Sequence, residues 1–275
     1  MKTILAAAIQ LNAGSDKKRN IENAARLIQK AALRGAKLIA LPEVFNWRGS
    51  SKHIHHHCEP IPGPTTFRMS ELAAALDIFL LCGSIIETNP EGLRPFNTSI
   101  MLNTRGKMIA CYRKLHLFNI HGPGTTTIDE SRMYSAGNEV VTARIPFSKV
   151  GFTTCYDLRF PELYRRLADN GARIIFVPSS FTYETGKAHW EILLRARAIE
   201  NQVYIIAPNQ YGKDPLGNRQ YGHSMIIDPW GTVIARCSNE ETIIYGELDN
   251  NYLNKIRTKL PSLNHIRRDV FSPVP

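Results

Sequence analysis

The chain has no CxxC pair, no Pro/Gly/Ser-rich linker and no run near the roughly 18 apolar residues of a membrane span. Its five cysteines, Cys58, Cys82, Cys111, Cys155 and Cys237, are odd in number and widely spaced. That excludes a disulfide framework and a zinc knuckle, and fits a reducing, cytoplasmic compartment. Positive charge is in excess, with 34 Lys plus Arg against 24 Asp plus Glu, or +10. It is dispersed, as in Lys17-Lys18-Arg19, Arg165-Arg166 and Arg267-Arg268, and no aromatics are interleaved with it. This is the charge of a basic enzyme acting on small acidic molecules, with neither nucleic acid nor membrane as partner. Residues 4–9 after Met1-Lys2 imitate a short signal peptide, but Gln10 and Asn12 interrupt the run, and a buried first strand explains it more simply.

What is present alternates between two periods. A strand over 4–11 precedes a helix from Asp16, with Ile21, Ala24, Ala25, Ile28 and Ala32 on one face and Gly35 as its C-terminal cap. A buried strand over 37–41 ends at Pro42-Glu43. A helix over 66–76, a strand over 78–86 and a hairpin of 97–103 with 107–112 come next. Residues 115–140, with Gly122, Gly124 and Gly137, read as a long functional loop. Then come a strand over 150–156, a helix opened by Pro161 and closed by Gly171, and a strand over 173–177. A helix over 188–201 shows Ile192, Leu193, Ala196 and Ile199 on one face. Strands over 203–207, 224–228, 233–236 and 242–248 complete the body, and about the last 25 residues read as an arm packed on a partner or a neighbouring layer.

The order repeats. Gly35-Ala36-Lys37-Leu38-Ile39 matches Gly171-Ala172-Arg173-Ile174-Ile175, and Gly106-Lys107-Met108-Ile109-Ala110 matches Gly231-Thr232-Val233-Ile234-Ala235. The chain therefore reads as one α/β domain over 1–275, made of two similar halves. Each half is a β-α-β unit followed by a hairpin, with two sheets inside and helices outside.

Three strings carry candidate chemistry. Cys155 ends an apolar strand just before Pro161 opens a helix, an elbow that exposes a residue at the carboxyl edge of a sheet. Nearby helix N–H groups would lower its thiol pKa and hold an oxyanion. Glu43 ends a strand in Leu41-Pro42-Glu43, at the sheet rim where a general base belongs. Lys114, in Arg113-Lys114-Leu115-His116-Leu117, follows a hairpin strand and offers an ammonium for an oxyanion. Taken singly, each has an ordinary reading: a buried inert cysteine, a loop carboxylate, a surface lysine.

Together, these strings, with Cys155-Tyr156-Asp157-Leu158-Arg159-Phe160-Pro161-Glu162 as the most specific, resemble the nitrilase (carbon–nitrogen hydrolase) superfamily. The resemblance implies a four-layer α-β-β-α sandwich and a Glu43-Lys114-Cys155 triad. Cys155 would form a thioester with Glu43 as base, and Lys114 and the Tyr156 N–H would hold the oxyanion. Ammonia would leave, and water would free the acid. Glu130 would orient Lys114. Strings such as Gly186-Lys187-Ala188-His189-Trp190-Glu191 and Tyr221-Gly222-His223-Ser224-Met225 look like the amidase branch. By that resemblance, Arg159 and Thr185 would bind a 2-oxo acid end. Arg159 also fits on its own terms, since a guanidinium fork suits a carboxylate.

The expected substrate is a small carboxylate-bearing amide, such as deaminated glutathione. An omega-amidase, an N-carbamoyl amidohydrolase or a nitrilase is the alternative, and a non-enzymatic scaffold is the outsider. No cofactor or metal is implied, and a homodimer or homotetramer is. Two features stand outside the branch pattern: the cluster His53-Ile54-His55-His56-His57-Cys58, read as a solvated face, and Thr125-Thr126-Thr127, where a substrate-covering loop would lie.

Overall fold

A computed structural model describes residues 2–92, 94–120 and 128–270. Gly122, Gly124 and Thr125-Thr126-Thr127 lie outside the described residues. The first half runs β1 (Thr3–Gln10), α1 (Lys17–Leu33), β2 (Leu38–Ala40), α2 (Ile54–His57), α3 (Pro64–Leu76), β3 (Phe79–Leu81), β4 (Ile85–Glu87), β5 (Phe96–Leu102) and β6 (Met108–Arg113). Two short strands, β7 (Asn119–Ile120) and β8 (Ile128–Asp129), pair antiparallel between the halves. The second half runs β9 (Thr142–Arg144), β10 (Lys149–Phe152), α4 (Pro161–Asp169), β11 (Ile174–Phe176), α5 (Tyr183–Asn201), β12 (Tyr204–Ala207), β13 (Tyr211–Lys213), β14 (Arg219–Tyr221), β15 (Met225–Ile227) and β16 (Val233–Arg236). The long strand β17 (Thr242–Asp249) and α6 (Asn250–Lys259) follow.

The two sheets share a six-strand pattern, to which the first adds β4 beside β5. In one, β17-β1-β2-β3-β5-β6 are neighbours; in the other, β9-β10-β11-β12-β15-β16. Each has an antiparallel edge strand, three parallel strands and an antiparallel hairpin. Both hairpins carry a register shift, at Met101/Leu102 and at Ile226/Ile227. The repeated glycines fall at matching turns in the left-handed region: Gly35 at φ +89° and Gly171 at +86°, Gly106 at +73° and Gly231 at +88°.

Strand parity explains the layers. Ile4, Ala6 and Ala8 of β1 pack between the sheets with Leu38, Phe152, Ile174, Phe176 and Ile206. Ala7 and Ile9, the alternate residues, pack under α1 and α3 with Ala24, Ile28 and Met69. Ile175, Ile205 and Ile227 pack under α4 and α5 with Leu167, Trp190 and Leu194. Strands covered on both faces lose their polar alternation, so they read as unbroken apolar runs. The result is the expected α-β-β-α sandwich.

Three expectations need correction. The strand over 78–86 is two strands, because Gly83 turns the backbone at φ +30° and a Cβ there would clash with the Pro42 carbonyl oxygen. The strand over 150–156 stops at Phe152, where a turn of 3-10 helix, Cys155–Arg159, takes over. The third long helix begins at Tyr183, and its buried face includes Trp190, Leu194, Arg197, Ala198 and Asn201. Ile192 is 69% exposed and Ile199 49%. Arg197 takes an inward place because its guanidinium donates to the Leu158 carbonyl at 3.0 Å and lies over the Tyr164 ring. The C-terminal segment starts as α6, docked on the body through Leu253 and Ile256, with the Asn250 side chain donating to the Phe147 carbonyl. Among the described residues no helix is long and apolar enough to cross a membrane.

Candidate active site

Glu43, Lys114 and Cys155 lie on segments leaving three different strands, β2, β6 and β10. The glycine turn at Gly83 lets the chain after β2 lie against the chain after β3, and the Val44 N–H donates to Ser84 Oγ at 2.9 Å. Glu43 is buried, and three donors fix its carboxylate. Oε1 accepts from Lys114 Nζ and from Asn97 Nδ2, both at 2.9 Å, and Oε2 accepts the Ser180 N–H at 2.8 Å.

Lys114 is only 1% exposed. Its ammonium bridges two carboxylates, donating to Glu43 and, at 2.7 and 3.0 Å, to both oxygens of Glu130. Glu130 in turn accepts the Phe118 N–H at 2.7 Å. Burial works to lower the lysine's pKa, but Glu130 and Glu43 raise it well above the usual range, so the amine stays charged. Burial also raises Glu130, and Lys114 pulls against that rise.

Cys155 has φ +48°, and its N–H donates to the Pro178 carbonyl at 3.0 Å. A side chain in the left-handed region is strained, as is common where a fold must aim one group. The elbow is held from beneath by Asp157, which stands in the sequence only as one letter of the Cys155 string. Its fully buried carboxylate accepts the Tyr112 hydroxyl at 2.5 Å and the Thr154 N–H at 2.8 Å on Oδ2. Its other oxygen accepts the His116 N–H at 3.0 Å and lies 2.7 Å from His116 Nδ1. Asp157→Ala strands those groups around a buried hole. It is expected to destabilise the protein by about 3 kcal/mol and to cost activity through elbow disorder. Urea unfolding together with turnover checks this, and unchanged stability would contradict it.

The thiol's acidity runs opposite to the expectation. Burial and then Glu43 push the Cys155 pKa well above the usual thiol value, and Glu130 adds to this. Lys114 and the Ser180 N–H pull the other way and lose. The resting group is therefore a neutral thiol that must hand its proton to a neighbour during reaction, not a standing thiolate.

Two recesses meet at Cys155. The narrower is lined by Phe118, Tyr156, Arg159, Phe181 and Thr185. There the Arg159 guanidinium lies over the Tyr156 and Phe181 rings at 5.7 and 5.5 Å, and Nη1 is 3.4 Å from His189 Nδ1. Thr185, in the first turn of α5, hydrogen-bonds Thr182 at 2.6 Å. The wider recess holds Glu43, Trp47, Arg48, Asn97, Glu130 and Tyr134. All seven residues singled out in the sequence thus border one cleft or brace its walls. Asn97, Ser180 and Arg48 belong to it too, and no local pattern in the sequence marks them. The histidine cluster forms α2 and the turn before it, with His53, His55 and His56 exposed and His57 stacked on Trp47 at 4.2 Å. Among the described residues no group of three or more His, Cys, Asp or Glu side chains is placed to hold a metal ion.

The carbon–nitrogen hydrolase profile matches residues 5–258. The chain belongs to the carbon–nitrogen hydrolase family. It is 38% identical to human omega-amidase NIT2 over 272 residues, 99% of this chain and 98% of that protein. It is equally 38% identical to human deaminated glutathione amidase over 273 residues, 97% of this chain and 83% of that protein. Among solved structures, the C. elegans NitFhit protein superimposes with TM-score 0.91 at 34% identity, over 98% of this chain and 66% of that longer one. Saccharomyces cerevisiae Nit3 superimposes with TM-score 0.86 at 35% identity, over 94% of this chain and 95% of that one. This carbon–nitrogen hydrolase is therefore a hydrolase of carbon–nitrogen bonds other than peptide bonds.

Proposed function

We propose that the protein is a cysteine amidase for a 2-oxo acid amide, with deaminated glutathione ahead of a simple omega-amide. The observation that carries this reading is the juxtaposition of a buried, neutral Cys155 thiol with the Glu43–Lys114–Glu130 cluster, beside a pocket walled by Arg159 and Thr185.

Glu43 takes the thiol proton as the Cys155 sulfur attacks the amide carbon. The oxyanion is held by the Lys114 ammonium and the Tyr156 N–H. Glu43 returns the proton to the amide nitrogen, the C–N bond breaks, and the amine departs. Water then enters, loses a proton to Glu43 and cleaves the thioester, which releases the acid and restores the thiol. Glu130 holds Lys114 in place. Arg159 pairs with the substrate carboxylate from the narrow recess, with Thr185 beside it. The ammonia expected from the sequence leaves only from an omega-amide. From deaminated glutathione, whose amide nitrogen carries a cysteinyl-glycine unit, a dipeptide leaves.

A panel of 2-oxo acid omega-amide, deaminated glutathione, the matching nitrile and an N-carbamoyl amino acid tests the class by acid release. The two amides are expected to react. Turnover of the nitrile or the carbamoyl compound alone would refute the proposal. Arg159→Met is expected to raise KM for the 2-oxo acid amides about 30-fold or more, with a smaller change in kcat. Equal loss on an uncharged amide would remove Arg159 from carboxylate binding.

A further inference from the structure

The proton taken from Cys155 must reach the amide nitrogen before that nitrogen can leave. In the amidase reading, on which this inference rests, Glu43 holds that proton. The departing amine therefore lies on the Glu43 side of the sulfur. That side is the wider recess, which Glu43 lines, and not the narrow one with Arg159.

Arg48 stands in the wider recess, five residues after Glu43. Its side chain is 9% exposed. Burial lowers its pKa while Asp214 and Glu43 oppose that shift, and a guanidinium starts high enough to stay charged. Its Nη2 reaches Asp214 Oδ2 at 3.3 Å, long against the ~2.8 Å of a strong charge-assisted bond. Asp214 is itself engaged by the N–H groups of Leu216 and Asn218 and by the Asn218 amide. Gln220, with its amide turned to satisfy both neighbours, accepts from the same Nη2 at 3.0 Å and donates to Ser180. Nη1 is buried and has no partner among the described residues. A guanidinium offers five donors, and a buried one left unpaired is costly unless a ligand or water takes it.

The carboxylates that share the recess are spoken for. Glu43 and Glu130 hold Lys114, and Asp129 holds Arg132 at 2.9 Å. Arg48 is thus a fixed cation with donor capacity to spare, on the side where the amine departs. Ammonia has no anionic group for it to hold.

We propose that Arg48 forms an anion subsite for the leaving group, so that the preferred substrate is a 2-oxo acid amide whose nitrogen bears a carboxylate-ended substituent, an amino acid or short peptide. Arg159 and Arg48 then grip the two ends of a dianionic substrate, with the scissile amide between them at Cys155.

The test uses two amides with one acyl half, a 2-oxo dicarboxylic acid joined through its distal carboxyl. One carries glycine on nitrogen. Its twin carries glycinamide, equal in size but uncharged. Wild-type kcat/KM is expected to favour the glycine compound about 10-fold or more. Arg48→Met is expected to bring that ratio to within about threefold of unity, mainly through KM, while Arg48→Lys keeps part of it. A purely structural Arg48 would scale both substrates together and leave the ratio untouched, which would overturn the subsite. A wild-type ratio near one would overturn it as well. Calorimetric binding of the two amides to Cys155→Ala gives the same comparison with Arg48 intact, should Arg48→Met not fold. Equal affinities there would also refute the subsite. Failure of the enzyme to cleave either compound or the primary amide would refute the amidase reading itself. Cleavage of all three without preference would refute only the Arg48 subsite.

Discussion

Lys114→Met is expected to lower kcat/KM by about a thousandfold or more and to destabilise the fold by about 3–5 kcal/mol. The two effects have one origin. Lys114 is buried between Glu43 and Glu130 and, among the described residues, is the only cation bonded to either. Its removal leaves two carboxylates facing each other away from water. One must then take up a proton, or the cluster must open. If Glu43 takes it, the proposed base for the thiol is lost; if Glu130 takes it, Glu43 keeps a charge with, among the described residues, only the Asn97 amide and the Ser180 N–H to offset it. In either case the proposed oxyanion loses its ammonium, an effect typically worth a factor of about 100 to 1,000 by itself. Lys114→Arg keeps the charge but not the compact shape that fits between two carboxylates, so it is expected to recover stability better than activity. Urea unfolding and steady-state rates on the same preparations check this. Stability within about 1 kcal/mol of wild type together with near-normal turnover would show that the cluster is not as tightly coupled as its 2.7–3.0 Å contacts imply.

Cys155→Ala is expected to leave turnover at background while keeping the fold. None of the other cysteines is placed to substitute. Cys82 packs in the core beneath α1 and α3, and burial pushes its thiol far up. Cys111 and Cys237 are pushed up by burial to about 11 and about 12. Cys58 sits beyond α2, its thiol directed to the His55 carbonyl. Assay of acid release with purified variant, alongside its thermal unfolding, checks both halves of the expectation. Residual turnover above about a thousandth of wild type would mean that another group attacks the amide, or that Glu43 activates water directly.

How much of the fold and the site is legible in the sequence depends on how far apart the interacting residues lie. Helix ends are readable because their signals are local. Asp16 caps α1 by accepting the Arg19 N–H, and Pro161 opens α4. The three candidate residues Glu43, Lys114 and Cys155 stand out in the sequence because each follows a strand within three residues and sits in a short string. The two-half architecture is readable because the glycine turns repeat. The supporting groups are not. Ser180 reaches Glu43 across 137 residues, and Asn97 reaches it across 54. No short pattern carries such pairings. Arg48 is hidden for the same reason, since its partners Asp214 and Gln220 come from the β13–β14 hairpin. That hairpin has a signal, Asp214-Pro215-Leu216-Gly217-Asn218 between tyrosines, but a weak one, because its strands are three residues each. The buried face of α5 departs from its apolar periodicity because hydrogen bonds let Arg197 go inward while Ile192 and Ile199 stay outside. The thiol's pKa departs from its expected direction because a helix N-terminus is visible in sequence, whereas burial and two nearby carboxylates arise only in three dimensions.

In the proposed reaction Cys155 carries the acyl group. Rapid acid quench of the enzyme during turnover of a 2-oxo acid amide, followed by peptide mass spectrometry, detects that adduct. The expected result is an acyl mass increment on the peptide holding Cys155. It should appear before the acid product accumulates and be absent from Cys155→Ala. Turnover with no increment on that peptide, or an increment on another residue, would rule Cys155 out as the acyl carrier.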